Sequence, residues 1–150
     1  MNPNSSNEQK ASDSLTANPE KQVIKVQLAA QTALDTRKRL QAEAMAIGVS
    51  EEYISLLVDT FYERIRDHSE LGPVFNGVIQ DNWPRHLAKM KLFWSSVALR
   101  TGVYSGNPMN THKALTQAKP EHFGMWLELF KQTLQETAPN PEVVDYFMKF

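Results

Sequence analysis

Two histidines, His86 and His112, stand on separate segments where each borders apolar surface. After His86, the residues Met90, Phe93, Trp94 and Val97 recur at the period of one helical face, so this helix carries an imidazole at the mouth of an apolar stripe. His112 follows a loop in which Gly102, Gly106 and Pro108 forbid a long regular element and deliver the side chain from a constrained turn. The next helix adds Phe123, Trp126, Leu127 and Phe130. Two imidazoles separated by a helix and a loop are able to face each other across a slot and clamp a flat cofactor. Tyr62, Trp83 and Trp126 belong with them, because each brings a polar hydrogen that seeks a partner when buried.

Other chemistries find no foothold. The chain has no cysteine, which excludes disulfides, thiolate catalysis and cysteine-based zinc or iron–sulfur sites. There is no His-x-x-x-His or His-Glu-x-x-His pair, no Gly-x-Ser-x-Gly elbow, no phosphate-cradling glycine loop and no dinucleotide fingerprint. A metal would have to be held by histidine, carboxylate or a macrocycle. His68 sits in a polar turn beside Asp67 and Ser69 and reads as a surface residue, and His122 reads as a flanking residue at the edge of its aromatic helix. Phe61, Phe93, Trp94 and Phe130, at helical spacing, also suit the core of a helix bundle.

The elements that must position these groups are all helical. The 150 residues suffice for one domain, and the net charge of −1 disfavours nucleic acid or an anionic membrane as partner. No run approaches the roughly 20 apolar residues of a spanning helix, and residues 1–21 lack the apolar middle of a signal peptide, so a cytoplasmic protein is expected. Residues 1–21, rich in Ser, Asn, Pro and charge, read as a disordered tail. Residues 22–47 read as an N-terminal helical extension and 48–150 as the main domain. Gly48 is placed to cap one helix, and Ser50 followed by Glu51 and Glu52 to begin the next, with Ile54, Leu57, Val58, Phe61 and Ile65 on one face and Tyr62 on its flank. The stretch 68–77 reads as a turn around Gly72 and Pro73 that tucks Val74 and Phe75 inward. Asp81 or Asn82 can cap a helix ending near Leu99; a further helix runs from Pro120 to about Thr137, and a last one from Glu142 to Phe150. The absence of strand alternation makes the class all-α.

The run Leu57 to Arg66, then Leu71-Gly-Pro-Val-Phe75-Asn, Trp83-Pro-Arg-His86-Leu, Phe93-Trp94-Ser-Ser, Tyr104-Ser-Gly-Asn-Pro, His112 and His122-Phe-Gly-Met-Trp126 resembles the group III truncated haemoglobins. The resemblance covers about residue 38 to the C-terminus, with the blocks in order. It implies a globin-like two-over-two helical sandwich holding haem b. Carried over position by position, it makes His112 the proximal ligand of the iron, Tyr62, His86 and Trp126 the polar residues of the distal pocket, Met90 and Phe93 part of its wall, and Phe75 the phenylalanine that packs on the porphyrin. The function so implied is reversible binding of dioxygen and other diatomic ligands, with a reductase as a possible partner. The alternatives are a haem-dependent peroxidase-like or nitric oxide detoxifying enzyme and, without cofactor, a helical interaction module. In the family the last helix continues beyond the position of Phe150, and residues 1 to about 37 have no counterpart in its core.

Overall fold

The structure is a computed structural model that describes residues 18–106 and 118–150. Its described residues form α1 (Pro19–Ile47), α2 (Glu51–Asp67), α3 (Leu71–Ile79), α4 (Trp83–Ala98), α5 (Pro120–Thr137) and α6 (Pro141–Met148), with no strand among them. The expected all-α class is what these helices build. The chain divides into two compact units, Met1–Arg39 and Leu40–Phe150.

In the first unit, α1 begins at Pro19, so three residues assigned to the tail are helical. The local chemistry explains the earlier start. The Asn18 side chain accepts the Glu20 N–H at 3.0 Å, Pro19 needs no intrahelical hydrogen bond in the first turn, and Glu20 adds a favourable negative charge there. Every residue from Pro19 to Arg39 is exposed.

The second unit begins inside α1, and Ala44 and Val49 belong to its core. Gly48 ends α1 at φ +118°, a conformation that a side chain would strain. Ser50 then accepts the Tyr53 N–H at 3.0 Å and starts α2. This helix is the hub: α3, α4 and α5 all pack on it, and α6 packs on α5. Its expected face is fully used, since Ile54, Leu57, Val58, Phe61 and Ile65 are buried. Tyr62 is no flank residue; it is buried with them.

The stretch 68–77 is not coil. Gly72 and Pro73 fall in the first turn of α3, where a proline costs no hydrogen bond, so residues that suggested a break instead mark a beginning. His68, set aside as a surface residue, accepts the Glu70 and Leu71 N–H groups on Nδ1, each at 3.1 Å, and so caps this helix. Gly72 is required by proximity: a Cβ there would lie 2.6 Å from the Arg66 carbonyl oxygen. Asn82 precedes α4 as expected, although its side chain makes no capping bond. At the C-terminal end, Asn140 caps α6 through the Val143 N–H at 3.0 Å, and Val143 and Phe147 are fully buried. The α6 helix stops at Met148, short of the expected Phe150.

Candidate functional site

The fold gathers one residue set around an apolar cavity of about 270 Å³ in the second unit. Helix α2 contributes Phe61 and Tyr62, α3 contributes Phe75 and Ile79, α4 contributes His86, Met90, Phe93 and Trp94, and α5 contributes Trp126. The six cavity residues expected from the sequence, Tyr62, Phe75, His86, Met90, Phe93 and Trp126, therefore line one space. His112 lies outside the described residues. Phe61 and Trp94, assigned to packing, serve both purposes, since they are buried in the core and present surface to the cavity. Lys89, Tyr104 and Phe150 are further lining residues that the sequence did not single out. Lys89 had a detectable signal, one turn short of Phe93 on the same helix; Tyr104 comes from a loop whose path no periodicity describes.

Helix α5 departs from expectation at two positions. Phe123 is 64% exposed and Leu127 37% exposed, while Trp126, Leu129 and Phe130 turn inward. The inward stripe of α5 is thus rotated relative to the expected one. His122 is a flanking residue as expected: its Nδ1 accepts the Lys119 N–H at 2.9 Å, and its Nε2 lies 3.9 Å from Glu70. A second apolar cavity of about 280 Å³ shares Phe75 and Trp126 with the first and is walled also by Leu71, Val74 and Phe123. A larger open groove of about 610 Å³ is lined by Asp59, Glu63, Arg66, Asp67 and Asn76, and its charged walls suit no apolar group.

One polar atom of the main cavity is buried without being satisfied. His86 Nε2 is buried and has no hydrogen-bond partner among the described residues, an expensive arrangement unless something else meets it. Burial, reinforced by the Lys89 ammonium, lowers the His86 pKa from its ordinary 6.5 and keeps the imidazole neutral. Burial alone pushes the Tyr62 phenol well above its usual range, so it remains a protonated donor. The Tyr62 and His86 rings are 5.0 Å apart at 85°, and the Trp126 ring stacks on Phe130 at 5.4 Å. A neutral imidazole, a phenol and an indole thus border a mainly apolar space, where a hydrogen bond is stronger than it is in water.

A crystal structure of a group III truncated haemoglobin from Campylobacter jejuni aligns with a TM-score of 0.63 and 34% identity, covering 67% of this chain and 81% of that one. A group 3 truncated haemoglobin of Campylobacter jejuni is 37% identical over 89 residues, which are 57% of this chain and 70% of the relative. The chain belongs to the group 3 truncated haemoglobins. No protein-family model matches its sequence.

As a family, globins hold haem, and the described residues of this globin fit such a group. A flat macrocycle needs apolar walls, which Phe61, Phe75, Ile79, Met90, Phe93 and Trp94 provide. It also needs polar atoms only where its charged edge or an axial ligand would sit. The unpartnered His86 Nε2 is one such atom. Among the described residues no cluster of three or more His, Cys, Asp or Glu side chains is arranged to hold a bare metal ion. No helix among the described residues is long and apolar enough to cross a membrane.

Proposed function

We propose that this globin holds haem b in the cavity bounded by α2, α3, α4 and α5, with His112 as proximal ligand, and that it reversibly binds dioxygen or another diatomic ligand. When bound, haem supplies an iron atom that takes such ligands. The protein's own contribution is made by a few side chains. The Tyr62 hydroxyl and the Trp126 Nε1–H are donors at the cavity wall with no protein acceptor among the described residues, and so remain available to a polar ligand. His86, held neutral, contributes one further hydrogen-bonding nitrogen. Phe75, Met90 and Phe93 exclude water, which strengthens each of these hydrogen bonds and protects the site from oxidation.

The observation that carries this reading is the orphaned His86 Nε2 beside a buried phenol in a cavity walled mainly by apolar side chains. The test is spectroscopic. Purified chain titrated with haem should develop an intense near-ultraviolet band that shifts on reduction and again with carbon monoxide, and His112→Ala should abolish or badly alter it. A chain that stays colourless with excess haem overturns the proposal and leaves a cofactor-free helical module.

One feature favours a second, enzymatic reading. A neutral imidazole has a nitrogen able to take a proton from a substrate such as hydrogen peroxide and, as imidazolium, to return that proton to the departing oxygen, while the neighbouring phenol stays protonated as a hydrogen-bond donor. Steady-state turnover with peroxide, and with nitric oxide plus a reductant or reductase, separates turnover from reversible binding.

A further inference from the structure

The proposed pocket depends on where the His86 ring points, and no hydrogen bond at Nε2 sets that direction, because this atom has no partner among the described residues. Its orientation must therefore come from packing. Two rings supply it. Tyr62 meets the imidazole at 5.0 Å and 85°, and Trp83 meets it at 5.6 Å and 89°. Both contacts are edge-to-face, the arrangement that aromatic quadrupoles favour.

Trp83 is itself unusually well fixed. It is 4% exposed and lies one turn before His86 on α4. Its Nε1–H donates to Asn76 Oδ1 on α3 at 3.0 Å. The Arg66 guanidinium of α2 lies 4.9 Å from the ring centroid, within the range of a cation–π contact. Its ring also packs on Tyr62 at 6.0 Å. One indole is thus tied to the three helices that carry Tyr62, Phe75 and His86, yet it is not itself a wall of the cavity.

We propose that Trp83, tethered by Asn76, is the positioning residue of the pocket: a wedge that holds the His86 imidazole and the Tyr62 phenol in their mutual geometry. The inference rests on the proposed site, but its mechanical content does not require the cofactor. Asn76 is the better handle, because it is exposed and its loss removes the tether without opening the core. If the tether matters, Asn76→Ala lets Trp83 and then His86 loosen, whereas Asn76→Asp keeps an oxygen acceptor for the indole and preserves the geometry.

The experiment follows the His86 imidazole by NMR in the full-length chain, reading its ring-to-ring Overhauser contacts with Tyr62 and Trp83 and its titration. The charged group that bears on this ring is Lys89 on its own helix, with Arg66 of α2 over the adjacent Trp83 ring, and neither is altered. Asn76→Ala should weaken the Tyr62 contact and move the His86 titration upward, toward the ordinary value. Asn76→Asp should leave the ring contacts as in the parent. Trp83→Phe, which keeps a ring and loses the N–H, should behave like Asn76→Ala. Unchanged contacts and titration in Asn76→Ala overturn the proposal, and if Trp83→Phe fails to fold, the Asn76 pair still decides. Failure to take up haem would sink the proposed function while leaving this result intact.

Discussion

The Tyr62 ring and the His86 imidazole meet edge to face, 5.0 Å apart at 85°, and His86 Nε2 finds no protein partner. A polar pair this buried costs stability in isolation, so its presence is an argument for a polar occupant. Because the Tyr62 hydroxyl bonds no described protein atom, Tyr62→Phe should fold as well as the parent. Dioxygen should leave the haem-loaded variant faster. A hydrogen bond to a group with charge character contributes about 1.5–3 kcal/mol, so dissociation should speed up by roughly 10- to 100-fold for Tyr62→Phe and by a comparable factor for Trp126→Phe. Stopped-flow dissociation rates check this, and unchanged rates in both variants would remove these residues from ligand stabilisation.

Much of this site was legible in the sequence, and its limits are instructive. Helical period placed Ile54, Leu57, Val58, Phe61 and Ile65 in the core and Met90 and Phe93 beside His86, because spacing alone decides which side chains share a face. Period does not say where the inward stripe ends. Phe123 and Leu127 were counted inside by their hydrophobicity and are exposed, since only the packing of α5 on α2 determines its rotation. Gly72 and Pro73 were read as breakers because both are poor in helix interiors, but the first turn lifts the proline penalty and the Arg66 carbonyl leaves room only for glycine. The cap made by His68 was invisible for a different reason: a histidine acceptor is rare in that role, and sequence gives no backbone direction.

Gly72 shows how tightly the second unit is assembled. A Cβ at this position would meet the Arg66 carbonyl oxygen at 2.6 Å, and the opposing atom is backbone that cannot swing aside. Gly72→Ala should destabilise by about 1–3 kcal/mol through overpacking, despite alanine's better helix propensity. Because α3 also carries Phe75, haem affinity should fall with it. Thermal melts of the parent and variant, with and without haem, test both effects.

Every residue from Pro19 to Arg39 is exposed, and among the described residues the buried apolar core of the second unit begins at Ala44. Removing residues 1–39 should therefore shift the melting temperature of the rest by no more than a few degrees and leave haem uptake unchanged. Truncation past Ala44 should be far more costly, since it strips a residue that is 2% exposed and unseats Val49 beside it. Calorimetry on the two truncations distinguishes a dispensable extension from a structural one.

The pH dependence of stability follows from the same two cavity residues, with opposite signs. The folded-state pKa of His86 lies below its ordinary 6.5, so on acidification through that value the unfolded chain takes up a proton before the folded chain does. Stability contributed by the neutral buried imidazole is present above 6.5 and is lost as the pH falls toward the folded pKa. Tyr62 acts at the other end. Its folded pKa is raised above 10.0, so the unfolded chain ionises first and stability declines as the pH climbs past that value. Each group can impose a slope of at most about 1.4 kcal/mol per pH unit. Other titrating groups contribute to the absolute curve, so the informative quantity is a difference. Urea unfolding of the parent and His86→Leu from about pH 8 to pH 5 should show the parent losing more stability on acidification. Parallel curves would mean that the imidazole is not held in a desolvated site. Replacing Lys89 by Met should reduce the acid-side loss only in part, because burial is the larger cause of the shift and the ammonium the smaller.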